Sequence, residues 1–362
     1  MAVSEIPVSI TLMTLILILI FVYSLVKKSR ELLQNSFYII IFVISVIVAN
    51  RCIGVDTEVY KYLYTKADYF NWNIYPGSYN GILEVGYYNF SALYQILGFP
   101  YSVFSFTCTI LFFFSYYLLV NNYKLKTYLV YALLFVIYTY TFYQLNINQV
   151  RQGLAVSIVL VGLHFLYNKK ELKYYTFIIF ASLFHITALF MLIIPIIVRF
   201  RFLLSLKTIL LMLVLSLSFT QFELVKGILK IFGAMIGGGV EHKLNYYLNN
   251  PSYSGRGVIN LSFVLEYLGI ILFSIFYFSN KEQRNDFIDY ILWLNVFGLF
   301  IYGVFFDFVI IAQRLQYYFS ILSPMLYAYA FSLSIKSKYV ILLFSCVYLL
   351  MSIKVLYSSV GW

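Results

Sequence analysis

Two arginines stand where apolar helices begin. In "NQVRQGLAVSIVLVGLHFLY", residues 148 to 167, Arg151 opens an apolar run with Asn148, Gln149 and Gln152 beside it. In "DFVIIAQRLQYYFS", residues 307 to 320, Arg314 is flanked by Gln313 and Gln316, and Tyr317 and Tyr318 follow. A cation at a helix start faces the positive end of the helix dipole, which is unfavourable. An arginine facing lipid costs roughly 2.5–3.5 kcal/mol or more. Arginines in membrane segments therefore line interiors or wet cavities. One of them can be a structural ion pair, such as Arg314 with Asp307. Two at similar helix starts point to an anion site, because helix N-termini bind anions and guanidinium forks match phosphate oxygens.

The candidate bases are three. His185 lies alone in the apolar stretch "ASLFHITALF" and is either a packed, hydrogen-bonded histidine or a base suited to neutral pH. Asp56 lies in "RCIGVDTEVYKYLY", residues 51 to 64, after Arg51 and a turn at Gly54. It caps a short helix, or it joins Tyr60, Leu63 and Tyr64 on one face at helical spacing. Glu84 in "LEVGYYNF" is a favourable first-turn acid or a second carboxylate base. His164 and His242 lack such a context. No DxD is present, which argues against metal-assisted use of a nucleotide sugar, and no GxxxxGK[ST] phosphate loop occurs. The "GGG" at 237–239 is a loop signal, and "DFID" at 286–289 is weak as a metal motif. Cys52, Cys108 and Cys346 are isolated, so neither a zinc site nor a disulfide framework is expected.

The elements that must hold these groups are membrane helices. The chain has 362 residues, 62% hydrophobic and 11% charged, more apolar surface than a soluble domain can bury. Apolar runs near bilayer length recur from end to end. The first, Ile10 to Val26, lacks a small-residue cleavage site and is read as a retained helix. Helices are expected at about 8–26, 36–50, 101–120, 127–143, 151–167, 174–198, 203–220, 261–279, 287–304, 311–333 and 339–357. Fifteen of the 25 Lys and Arg fall in six short gaps between them. Those gaps are cytoplasmic under the positive-inside rule, and the +11 net charge reports topology, not nucleic-acid binding. All six can be cytoplasmic only if 174–198 goes out and returns. That stretch is too short for two full spans, so a hairpin broken near "FHIT" (184–187) is expected, with His185 at its outer tip. The alternative is one tilted span, which flips all that follows. Stretches 51–100 and 221–260 are then external. The tyrosines and tryptophan of "YFNWNIYPGSYN" (69–80) serve as an interfacial belt or stack on sugars. The fold class is all-α: a polytopic membrane protein of about 11–12 transmembrane or re-entrant helices, forming a single membrane domain over 1–362. On this map Arg51, Asp56, Glu84, Arg151, His185 and Arg314 converge at the outer leaflet.

"GVDTEVY" after the second helix, "E-x-GY" at 84–87, "NQVRQGLA" at 148–155, "FH" at 184–185 and "R-x-x-Y" at 314–317 occur in an order that resembles the EpsG family, within the wider group of Wzy-type polysaccharide polymerases. The resemblance spans nearly the whole chain. Val85 stands where that pattern often has a proline after the glutamate. The resemblance implies a GT-C-like, metal-independent glycosyltransferase without cofactors in a bacterial cytoplasmic membrane, acting on its outer side. Such proteins move a growing chain from undecaprenyl diphosphate to a hydroxyl of the next lipid-linked unit, for O-antigen, capsule or exopolysaccharide. The partners implied are lipid-linked oligosaccharide as donor and acceptor, with a chain-length regulator and a flippase. On this basis Arg151 and Arg314, assisted by Arg51, hold the diphosphate. His185 is the first candidate base, with Asp56 and Glu84 as rivals or acceptor-orienting groups. Tyr60, Asn148, Gln152 and Tyr317 contact sugar. Rival functions are a flippase, disfavoured by the scarcity of charge in the inner halves of the helices, and a glycan ligase of the same chemistry.

Overall fold

A backbone immersed in lipid must satisfy its own hydrogen bonds, so apolar runs of this length fold as helices. The structure, a computed structural model, describes residues 30–50, 56–72, 84–123, 126–137, 139–222, 225–228, 230–231, 245, 248–249, 261–280, 282 and 284–333. Among the described residues every regular element is helical and none is a strand. Four helices are long and apolar enough to cross a membrane: Tyr101–Tyr123, Val150–Tyr167, Ile186–Leu203 and Asp286–Val304. Shorter apolar helices cover Tyr38–Ala49, Leu206–Phe219 and Phe263–Ser279. The chain is thus an all-α, multi-pass membrane protein. The helices expected at 8–26 and 339–357, residue Arg51 and most of 221–260 lie outside the described residues.

In chain order the helices are α1 (Arg30–Ala49), α2 (Thr57–Thr65), α3 (Val85–Ile96), α4 (Tyr101–Val120), α5 (Lys126–Ile137), α6 (Val150–Tyr167) and α7 (Glu171–Ser182). They continue as α8 (Ile194–Arg199), α9 (Leu206–Phe219), α10 (Leu261–Ser279), α11 (Asp286–Val304), α12 (Val309–Ser320) and α13 (Ser323–Leu333). The chain divides into two compact units, Met1–Leu192 with Tyr327–Trp362, and Ile193–Leu326.

In the first unit α6 packs against α4 and α7, and α1 packs against α4 and α5. The helix expected over 127–143 is interrupted. Thr139 is extended, and its hydroxyl accepts the Phe142 N–H at 3.1 Å, starting a new turn at Tyr140–Tyr143. A π-helical segment, Gln144–Asn148, then leads into α6. The break expected near 184–187 is present: α7 ends at Ser182, and a 3₁₀ stretch runs over Ile186–Ile193. The Tyr174 hydroxyl donates to the Met191 carbonyl. A continuous helix would hold those residues about 25 Å apart, so the chain doubles back at the break. The returning arm is longer than anticipated, because it belongs to the apolar helix Ile186–Leu203, while α7 has 12 residues.

In the second unit α11 packs against α9 and α12, and 83% of its apolar window is buried, which makes it that unit's central helix. The single helix expected over 311–333 is two. Pro324 sits in the first turn of α13, where it has no N–H to give and its ring would clash with the Ser320 carbonyl. The Ser323 hydroxyl donates to that carbonyl at 2.8 Å.

Candidate functional site

The acidic residues at the starts of α2 and α3 stand at N-cap positions, but neither Asp56 nor Glu84 makes a side-chain capping bond. Glu84 is drawn elsewhere. Its Oε2 accepts a hydrogen bond from Arg151 Nη1 at 2.6 Å, an ion pair whose side chains are 18% (Arg151) and 20% (Glu84) exposed. The residues are 67 positions apart in sequence. Arg151 also faces Tyr60: its guanidinium carbon lies 5.9 Å from the Tyr60 ring centroid. Tyr60 is buried on α2 with Leu63 and Tyr64, as their spacing anticipated; Thr57 is buried with them, and Asp56, expected on the same face, is half-buried. Burial pushes the Tyr60 phenol pKa up more strongly than Arg151 pulls it down, and Asp56 and Glu84 add to the rise. The phenol therefore stays protonated, and both acids lie within electrostatic reach of it.

Two contacts seat α3 on the turn between α7 and the 3₁₀ stretch. The Gly86 N–H donates to the Leu183 carbonyl at 2.8 Å, and a Cβ on Gly86 would lie 2.8 Å from that oxygen. Only glycine allows so close an approach. The Phe90 and Phe184 rings meet edge-on at 6.3 Å. Glu84 and His185 are each two residues from the Gly86–Leu183 bond, so the acid that pairs with Arg151 and the tip histidine belong to one neighbourhood. His185 is buried, and its Nδ1 lies 2.6 Å from the Thr187 hydroxyl. That bond restrains the ring plane.

Arg151 owes its position to the π-helical segment. The Gln149 N–H reaches back five residues to the Gln144 carbonyl at 2.7 Å, and the segment folds across the first turn of α6. The approach is tight enough that a Cβ on Gly153 would lie 2.0 Å from the Leu145 carbonyl oxygen. Such π turns gather at functional sites. Asn148 and Gln152 are buried here. Asn148 Nδ2 donates to Gln144 Oε1 at 3.3 Å, and Asn148 Oδ1 and Gln149 Oε1 are buried acceptors that receive no hydrogen bond.

The second unit holds the other arginine. Arg314 lies half-buried on α12, with Tyr317 buried one turn on. Asp307 is buried, and its Oδ2 accepts the Lys226 backbone N–H at 2.9 Å. Missed at the level of sequence was Glu266, a buried acid within α10 that accepts from Gln316 Nε2 at 2.5 Å. Its signal was available: one carboxylate within an apolar run of bilayer-spanning length. Among the described residues no three His, Cys, Asp or Glu side chains cluster as metal ligands.

The sequence profile of the EpsG family matches residues 34–361. The chain belongs to the EpsG family. Comparisons with curated proteins and with solved structures find no match. Membership makes this a polysaccharide-polymerase-like membrane protein of the Wzy type, with lipid-linked polysaccharide as the general substrate class. The five short motifs that carried the resemblance all lie within the matched span. Of the residues that the sequence singled out as site candidates, Asp56, Tyr60, Glu84, Asn148, Arg151, Gln152 and His185 fall in the first unit and Arg314 and Tyr317 in the second.

Proposed function

We propose that this EpsG-family protein polymerises oligosaccharide units carried on undecaprenyl diphosphate at the extracytoplasmic face of a bacterial cytoplasmic membrane. One observation carries the proposal: Arg151, at the start of a membrane helix, is paired with Glu84 and lies against the Tyr60 ring, beside the turn that bears His185. In the transfer, an acceptor hydroxyl attacks the anomeric carbon of the donor sugar. The bond from that carbon to the diphosphate oxygen breaks, and the diphosphate departs with the electron pair. The hydroxyl proton passes to a base. Charge accumulates on the leaving group, so fixed cations lower the barrier.

Arg151 supplies such a cation. A guanidinium has five N–H donors, and Glu84 fixes its fork through Nη1. Glu84 is thereby assigned to positioning Arg151, which leaves His185 as the first candidate base and Asp56 as its rival. Tyr60, Asn148 and Gln152 offer polar groups for sugar hydroxyls. Arg314, with Tyr317, is a second anion-binding group, and Arg51 an assisting one.

The test uses purified protein, lipid-linked units and gel separation of products. Arg151→Lys keeps the charge but loses the planar fork. It should slow polymerisation by at least about tenfold, roughly 1.4 kcal/mol of barrier, with insertion unchanged. His185→Gln should abolish polymer while lipid-linked substrate still binds. Near-normal turnover in His185→Gln would make that residue a packing group and move the base to Asp56. Full activity in Arg151→Lys would remove the arginine from the site.

A further inference from the structure

One carboxyl group inside an apolar helix of the second unit has no part in the reaction described. Glu266 is the one charged residue among the 19 of α10, and it is buried. An acid inside a bilayer-spanning helix is costly and marks a functional position. Among the described residues no lysine, arginine or histidine pairs with it. Its partner is an amide, 50 positions away in sequence: Gln316 Nε2 of α12 donates to Glu266 Oε2 at 2.5 Å. Replacing both partners of a buried polar pair by apolar side chains of like shape is often neutral or stabilising, so stability does not account for this pair. What an apolar contact lacks is direction. A buried hydrogen bond admits one setting of two helices, as a lone buried asparagine fixes the register of a coiled coil.

The short helix α12 needs such a device. It has 12 residues, and neither neighbour in the chain continues it: a turn at 305–308 separates it from α11, and the break at Pro324 separates it from α13. It packs on α11, while α10 packs on α9, and the Glu266–Gln316 bond ties the two pairs together. A second anchor lies one turn on. A Cβ on Gly298 of α11 would lie 2.2 Å from Phe319 Cβ, so Phe319 sits against bare backbone. Gln316 and Phe319, three residues apart, share one face of α12. Arg314 lies about 160° round the axis from Gln316, at about 100° per residue. The direction of Arg314 is therefore set by the anchors on the other side of its helix.

We propose that Glu266 is a positioning residue: through Gln316 it fixes the rotation of α12 and so aims Arg314 at the substrate diphosphate. This rests on the anion-binding role assigned to Arg314 above. In this role Glu266 touches no substrate.

Spin labels at exposed Gln313 on α12 and exposed Leu272 on α10 report the setting of α12, in purified full-length protein whose three cysteines are replaced by serine. Glu266→Leu, and Gln316→Leu from the other side of the bond, should insert without a lowered thermal midpoint. Each should spread the single distance between the labels and cut kcat/KM for lipid-linked units by at least about tenfold. Glu266→Gln with Gln316→Glu rebuilds the bond in reverse and should restore the distance and most of the rate. An unchanged distance in both leucine variants overturns the inference. So does a lowered thermal midpoint that the exchanged pair does not repair, or a spread distance at full rate while Arg314→Lys is slowed. Full rate in Arg314→Lys, with the distance still spread by Glu266→Leu, would refute the anion role of Arg314 and leave the hold of Glu266 on α12 standing.

Discussion

Replacing Glu84 by glutamine removes one charge from the pair with Arg151 and changes little else in shape. The charge centres of a contact pair of this kind lie about 4 Å apart, worth about 4 kcal/mol at an effective dielectric near 20. Both side chains keep only about a fifth of their exposure, so desolvation offsets part of that attraction. The coupling expected between Glu84 and Arg151 is about 2 kcal/mol, within the range found for residues in contact. The assay is a double-mutant cycle of wild type, Glu84→Gln, Arg151→Lys and the double variant, each purified and scored for initial polymerisation rate. Glu84→Gln alone should lower the rate by about thirtyfold if the full coupling bears on the transition state, because the fork that receives the diphosphate is no longer fixed. The double variant should be little slower than the worse single variant. Effects that add to within about 0.5 kcal/mol would show that the two side chains act independently, and the positioning role of Glu84 would be wrong.

Two further outcomes follow from the fold. Gly153→Ala would raise the helix propensity of α6 by about 1 kcal/mol, yet its Cβ would lie 2.0 Å from the Leu145 carbonyl oxygen; the variant should insert and lose about a hundredfold in activity as the π-helical segment is displaced, and wild-type rates would refute the role of that segment. Cysteine at exposed Lys207 should be shielded from an impermeant reagent applied outside cells while cysteine at exposed Asp68 reacts, and outside labelling at position 207 would contradict the re-entrant hairpin.

Periodicity and charge placement in the sequence alone determined the all-α membrane class, several helix limits and the break at the tip. Lengths of apolar runs and the clustering of lysine and arginine report on lipid thickness and on the positive-inside rule, and both act on local sequence. The 101–120 and 261–279 helices agree with α4 and α10 for that reason. The split at Pro324 was also written locally, in a residue that cannot continue a helix, and apolarity alone concealed it. The partner of Arg151 was not legible. No carboxylate lies within a turn of it, and Glu84 reads by itself as an ordinary first-turn acid. Only tertiary packing decided that pair, because it requires α3 to be seated by Gly86 on the Leu183 carbonyl and Arg151 to be presented by a π turn that Gly153 alone leaves room for. A glycine in a sequence states that space is needed; what fills that space is known only once elements distant in the chain have met.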